Sequence, residues 1–114
     1  MGSVFGKEEE RIRFMITFRV PTERGNAAAR DGSFSDILQS VLEDLKPEAV
    51  YFSDIEGARG GYLVVNIDDA SQLPAVAEPL FLAMDATVQV HPVFTPEDMP
   101  RAMESVQQAA QKYG

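Results

Sequence analysis

The sequence predicts an α+β fold in which amphipathic helices cover one face of a small antiparallel sheet. Three observations predict it: a strand with strict period-two alternation at residues 11–20, shorter alternating stretches later in the chain, and helix-spaced apolar residues between them. At 114 residues the chain is long enough for one domain with a single core. We assign residues 11–114 to that domain, and residues 1–10, with two glycines and a charged run, to a flexible leader.

The first strand organises the rest of the chain. Its apolar face carries Ile12, Phe14, Ile16, Phe18 and Val20. Its other face carries Arg13, Met15, Thr17 and Arg19. The apolar face must be covered by helices. The function therefore depends on whether the second face contacts water, a ligand or a partner.

A helix is predicted from residue 34 to residue 45. Apolar residues recur there at i, i+3, i+4, i+7, i+8 and i+11, with Ser33 as the N-cap and Asp36 as the acidic half of a capping box. The preceding residues 21–32 begin and end with turn-forming residues, so we expect a loop there, with a helical turn at most through its alanines.

The middle of the chain reads as a hairpin followed by a second helix and a last strand. Strands at 49–53 and 62–67 flank a turn over 56–61, with a solvated Arg59 at its tip. Asp68 or Asp69 and Ser71 are the cap candidates of the second helix, which should stop or kink at Pro79. The fourth strand covers 86–94, where Pro92 favours a sheet edge or a bulge.

The C-terminal helix begins at Thr95, an N-cap followed by proline and two acidic residues. Its apolar stripe consists of Met99, Met103, Val106, Ala110 and Tyr113. We expect this stripe to dock on the same subunit; the alternative is that it crosses to a neighbouring subunit.

The order of strand, helix, strand, strand, helix, strand and helix predicts a ferredoxin-like βαββαβ domain with a four-stranded antiparallel sheet and an additional C-terminal helix. Both main helices then lie on one side, and the other side of the sheet is bare. Alternation assigns to this bare face Arg13, Met15, Thr17, Arg19, Tyr51, Ser53, Tyr62, Val64, Asn66, Thr87, Gln89, His91 and Val93. These strand positions hold no Lys, Asp or Glu, which is unusual for a solvated face and suggests a covered polar surface.

Two explanations of that surface stay open. It is either a polar dimer interface with trapped water, or a ligand cavity in which arginines offer charge to an anion. As candidate residues for a ligand cavity we take Arg13, Thr17, Arg19, Tyr51, Tyr62, Asn66 and Gln89 for substrate binding. His91 is the candidate catalytic residue, because histidine side chains titrate near neutral pH and serve as general acids and bases.

The composition of the chain narrows the classes of partner and cofactor that we expect. A formal net charge of -8 disfavours nucleic acid and anionic membrane surfaces, and no apolar run approaches the roughly 20 residues that cross a bilayer. No cysteine and one histidine leave no metal site that we can predict. We expect no cofactor, the alternative being haem held by His91. Without a secretory signal in the sequence, a cytoplasmic location is the expectation.

Residues 78–93 carry a family resemblance. A helix ending in Pro79, Leu80 and Phe81, followed by an alternating strand that closes on Pro92 and Val93, resembles muconolactone isomerase and its small bacterial relatives in the dimeric α+β barrel superfamily. The resemblance implies a homodimer or larger homo-oligomer in which paired sheets form a barrel with the helices outside. Members of the superfamily include isomerases, cofactor-independent oxygenases and haem enzymes.

The sequence therefore predicts a small-molecule-binding dimeric-barrel protein that isomerises a small anionic organic substrate by proton transfer. In this hypothesis His91 moves the proton, Arg13 and Arg19 hold the anion, and Tyr51 or Tyr62 polarises a carbonyl. The alternative is a non-catalytic oligomeric binding or interaction module.

Overall fold

The described part of the chain has an α+β architecture with one open, four-stranded antiparallel sheet and four helices. A computed structural model describes residues 11–114, so the predicted leader lies outside the described residues. The strands are β1 (Ile12–Arg19), β2 (Ala49–Ile55), β3 (Ala58–Ile67) and β4 (Thr87–Val93). The helices are α1 (Thr22–Asp31), α2 (Phe34–Leu45), α3 (Leu73–Met84) and α4 (Met99–Tyr113), with short 3₁₀ turns Ala70–Gln72 and Pro96–Asp98 before the last two.

The strand order in the sheet is β2-β3-β1-β4, and all three pairings are antiparallel. The strands β1 and β3 lie in the interior of the sheet, and β2 and β4 form the edges. Pro92 lies on the edge strand β4, where a missing backbone donor is tolerated.

The core lies between one face of the sheet and the helices α2 and α3. The apolar side chains of β1 and β3 are its base, with Ile16 and Leu63 fully buried, and α3 contributes Leu80 and Met84. Ile12, predicted to be buried, is 40% exposed because it lies at the end of the strand, and it is not part of the core cluster. The assignment of the other apolar residues of β1 to the core is confirmed.

The predicted loop at 21–32 was wrong: ten of these residues form α1. The alanines and the charged residues favour a helix, Pro21 precedes its first turn, and Gly32 ends it at φ 80°. Gly25 is buried and lies close to Arg59, so packing offsets its low helix propensity. The helix α2 and the position of Ser33 as its N-cap residue are confirmed, but the Ser33 side chain makes no cap hydrogen bond.

Pro79 does not stop the second helix, because α3 continues through it to Met84. The loss of one backbone hydrogen bond is offset by burial of Val76, Leu80 and Met84 on the core side. Asp69 is confirmed as the cap before this helix, its carboxylate accepting a hydrogen bond from the Ser71 backbone N–H at 2.8 Å.

The turn of the hairpin is shorter than predicted. Only Glu56 and Gly57 turn the chain, with φ values of 50° and 84°, which is the signature of a two-residue type I′ turn. The third strand thus begins at Ala58, and Arg59 lies within it. Arg59 is exposed, as predicted, but it is not at the tip of the turn, and its guanidinium donates a hydrogen bond to Asn26 Oδ1 at 2.9 Å.

The C-terminal helix starts where predicted, but its apolar stripe does not dock on its own subunit. The Thr95 N–H donates to the carboxylate of Asp98 at 3.4 Å at the start of the helical segment. Met103 is 39% exposed, Val106 is 53% exposed and Tyr113 is 80% exposed. The expectation that this stripe packs against the same subunit is therefore wrong for the described residues.

Candidate functional site

The bare face of the sheet consists of four rows of side chains. The strand register assigns every residue predicted for this face to one of these rows. From one end of the sheet to the other, and from β2 or β3 towards β4, the rows are Asn66-Arg13-Val93, Ala49-Val64-Met15-His91, Tyr51-Tyr62-Thr17-Gln89 and Ser53-Gly60-Arg19-Thr87. No helix covers this face among the described residues, and Tyr51 is 66% exposed on it.

A carboxylate that the alternation did not reveal lies at the Arg13 end of the face. Glu48 Oε1 accepts a hydrogen bond from Arg13 Nε at 3.1 Å and another from Asn66 Nδ2 at 2.6 Å. These bonds from Asn66 and Arg13 hold the pKa of the Glu48 carboxyl below its usual value. The charge of Arg13 is therefore already paired within the chain.

Sequence reasoning missed Glu48 because it precedes β2 and belongs to no alternating run. The backbone N–H of Glu48 donates to the carbonyl of Val64 at 2.8 Å, which holds the residue beside β3. The only available signal was its position directly after Pro47, at the entry to a strand.

Arg19 lies at the opposite end of the face. Its Nε donates to the carbonyl oxygen of Ile55 at 3.1 Å. Ile55 belongs to β2, so the side chain of Arg19 crosses β3, where Gly60 has no side chain to obstruct it.

The two arginines do not converge within one protomer. Six residues of extended strand separate Arg13 from Arg19, which corresponds to about 20 Å. A small anion bound to one protomer therefore meets only one of them.

The middle two rows bring together the remaining candidate residues. His91 is directly opposite Met15, and Gln89 is directly opposite Thr17, which in turn pairs with Tyr62. Directly opposed residues in antiparallel strands have Cα atoms about 4.5–5.5 Å apart, so these side chains share one small area. The His91 ring makes no hydrogen bond to any residue in the described part of the chain, and so no partner there fixes its orientation.

A cavity of about 650 Å³ opens beside the Arg13 end of the bare face. Its lining includes Arg11 and Arg13 from the first strand region, Asn66, and Arg101 from α4. Each arginine has a carboxylate partner: Arg11 contacts Asp68 at 3.4 Å, Arg13 contacts Glu48, and Arg101 contacts Asp98 at 3.1 Å. An anion entering this cavity must therefore compete with carboxylates that are already in place.

Within residues 11–114, no group of three or more acidic or histidine side chains is arranged to hold a metal ion. No helix in the same residues is long and apolar enough to cross a bilayer.

No protein-family description fits the sequence, and no curated protein is detectably similar to it.

Proposed function

We propose that the protein is a homo-oligomeric small-molecule-binding protein whose ligand cavity forms when the bare sheet faces of two copies meet. The observation that carries this proposal is the composition of the two middle rows. Exposed aromatic and methionine side chains lie there beside uncharged hydrogen-bonding groups, with Tyr62 37% exposed and Met15 38% exposed. An exposed patch of this kind on a sheet is typical of an interface or a binding surface.

The sheet order supports a finer description of the fold. Read from the β4 edge, the order is β4-β1-β3-β2, and α2 and α3 provide the two crossovers. We propose on this basis a ferredoxin-like βαββαβ domain, supplemented by α1 and α4, that pairs into a dimeric α+β barrel.

The positions of the arginines support a small anionic organic ligand. A two-fold axis perpendicular to the strands lays the Arg13 end of one sheet over the Arg19 end of the other. Arg19 of one copy then lies near Arg13 of the other at each end of the shared cavity, where an anion competes with the Glu48 carboxylate for Arg13. Arginine suits carboxylate recognition because its guanidinium donates two parallel hydrogen bonds.

His91 favours a second candidate function, isomerisation by proton transfer. Its exposed ring lies in one of the two middle rows, on the edge strand β4, and makes no hydrogen bond to the described residues of its own chain, so it is available to a ligand. In this mechanism His91 moves the proton and Tyr51 or Tyr62 polarises a carbonyl, with Gln89 and Thr17 as further hydrogen-bonding groups. A non-catalytic binding or interaction module remains the alternative to an enzyme.

Native mass spectrometry of the purified protein, with a variant pair, tests the proposal. We expect dimers, or multiples of dimers, that carry a consistent additional mass. Tyr62→Glu inserts a charge into the bare face and should raise the dimer dissociation constant at least about tenfold and release the additional mass. The control Leu82→Glu places the same charge on α3, where Leu82 is 79% exposed, and should change neither.

A monomeric protein, or an equal response to both variants, would refute pairing through the bare face. A dimer without additional mass that responds only to Tyr62→Glu would favour the interaction module over the ligand-binding protein.

A further inference from the structure

The Arg13 end of the bare face holds three ion pairs around one cavity. Three arginines line the cavity of about 650 Å³ there, and each contacts one carboxylate. The pairs are Arg11–Asp68, Arg13–Glu48 and Arg101–Asp98. The positive and negative charges of the three pairs therefore balance.

Arg13 keeps donors that no carboxylate engages. It bonds Glu48 through Nε alone, at 3.1 Å. No residue between 11 and 114 accepts a hydrogen bond from its Nη1 or Nη2 atom. These two terminal nitrogens can donate the two parallel hydrogen bonds by which a guanidinium holds a carboxylate. The hydrogen-bonding capacity of Arg13 is thus available to a ligand, although its charge is shared with Glu48.

Glu48 likewise keeps an acceptor. It accepts hydrogen bonds from Arg13 at 3.1 Å and from Asn66 at 2.6 Å, and both bonds go to Oε1. In the described part of the chain nothing donates to Oε2, and the side chain of Glu48 is 41% exposed. Both donors line the cavity, so the carboxylate lies beside it. An ammonium group can bind Oε2 without breaking the pair with Arg13.

The charge balance decides which ligands these groups suit. A simple anion would face three carboxylates without any surplus of positive charge, and a simple cation would face three guanidinium groups. Glu97 is a further acid nearby: its pKa is lowered chiefly by a hydrogen bond with Thr95, and to a smaller extent by the charge of Arg13. A ligand with one charge of each sign adds no net charge and can pair with both.

Apolar side chains complete the cavity wall. Ile12, Val93 and Phe94 line it together with the arginines. Ile12 is 40% exposed and Phe94 is 59% exposed, so both can contact a ligand. The cavity volume falls within the roughly 300–1,000 Å³ that is usual for small-molecule sites. The wall therefore suits a ligand with an apolar portion next to its charged groups.

We propose that this cavity binds a zwitterion of the α-amino acid type with an apolar side chain. Its carboxylate binds the Nη atoms of Arg13, its ammonium group binds Glu48 Oε2, and its side chain contacts Phe94. The inference rests on the proposed function in taking Arg13 as a ligand-binding residue, and it narrows the proposed anionic ligand to one that also carries an ammonium group. Every protein group that it uses belongs to one copy.

Isothermal titration calorimetry with three matched probes tests the ligand class. The probes are L-phenylalanine, 3-phenylpropionate, which lacks the ammonium group, and 2-phenylethylamine, which lacks the carboxylate. We expect the full chain to bind phenylalanine at least about tenfold more tightly than either analogue. Binding of 3-phenylpropionate as tight as that of phenylalanine would overturn the proposal. So would the absence of saturable binding of both phenylalanine and valine up to about 10 mM.

Two variants of the ion pair test the residue roles. Glu48→Gln removes the negative charge, so it should weaken phenylalanine at least about tenfold without weakening 3-phenylpropionate. Arg13→Gln should weaken both of these probes and leave 2-phenylethylamine unchanged. The control Glu43→Gln makes the same substitution at an exposed acid of α2, outside the cavity, and should change no affinity. Equal weakening of phenylalanine and 3-phenylpropionate by Glu48→Gln would overturn the role of Glu48.

Tyr62→Glu separates this inference from the pairing of bare faces. We expect this variant to keep the phenylalanine affinity within about threefold, because Tyr62 lies two rows away from Arg13. If it is monomeric and still binds phenylalanine, the site stands on one copy. Loss of phenylalanine binding in Tyr62→Glu would overturn a site complete within one copy. A dimeric natural protein that binds no amino acid would overturn the zwitterion site and leave the pairing intact.

Discussion

Gly60 permits the close approach of three strands, and a single methyl group there should disrupt the sheet. A Cβ atom built at Gly60 lies 2.7 Å from Ile55 Cγ1 and closer still to the carbonyl oxygen of Phe18. Two carbon atoms in contact are normally about 3.5–4.0 Å apart, so Gly60→Ala requires a displacement of roughly 1 Å. Because one neighbour is backbone, the displacement separates β3 from β1.

The expected cost follows from what that separation disturbs. Overpacking by one methyl group costs about 1–3 kcal/mol, and each weakened backbone hydrogen bond adds up to about 1 kcal/mol. We expect Gly60→Ala to lower the free energy of unfolding by about 2–4 kcal/mol, and the melting temperature by about 10–20 °C.

Urea unfolding followed by circular dichroism measures this loss. An unchanged slope of the unfolding free energy against urea concentration checks that the folded and unfolded states of the variant are comparable with those of the natural protein. Gly32→Ala is the matched control, because a Cβ there meets no atom within 4 Å and only the φ of 80° is unfavourable. Its expected cost is about 1–2 kcal/mol. If Gly60→Ala destabilises no more than Gly32→Ala, the steric reasoning is refuted.

Three further predictions concern the core and the bare face. Leu63→Ala should cost about 2–5 kcal/mol in urea unfolding because Leu63 is fully buried, whereas Leu82→Ala should cost under about 0.5 kcal/mol; similar losses would contradict the assigned core. The lowered pKa of Glu48 contributes stability that is present above its unfolded pKa and lost as pH falls through the folded value. Glu48→Gln should therefore lower the free energy of unfolding at pH 7 and lower it much less at pH 3.5. An equal loss at both pH values would show that the Glu48 carboxylate does not contribute to the loss of stability in acid. His91→Ala should abolish turnover of a substrate identified from the retained mass and leave the dimer intact by native mass spectrometry; undiminished turnover would exclude His91 from the mechanism.

The residues that share a face of the sheet were predictable because side chains alternate between the two faces along every strand. A period of two places Arg13, Thr17 and Arg19 on the same side wherever the strand lies, and the register then sets Tyr62 and Gln89 beside them. Pairings that depend on distant segments were not predictable. Glu48 reaches Arg13 only because β3 lies between β1 and β2, and no local pattern encodes that neighbourhood.

The helices were also only partly predictable from the sequence. The apolar stripe of α4 was predictable from the spacing of its residues, but spacing does not indicate which surface covers the stripe. The helix α1 was missed because glycine and asparagine lower the local propensity, and its burial of Gly25 and Ala28 against the rest of the chain decides the conformation instead.

The exposure of α4 limits the tertiary contacts that could hold it helical. A lone helix of 15 residues is at the lower limit of stability in water, even with favourable residues, because helix nucleation is unfavourable. The amide protons of α4 should therefore exchange with solvent faster than those of the central strands β1 and β3, which hydrogen exchange measures residue by residue.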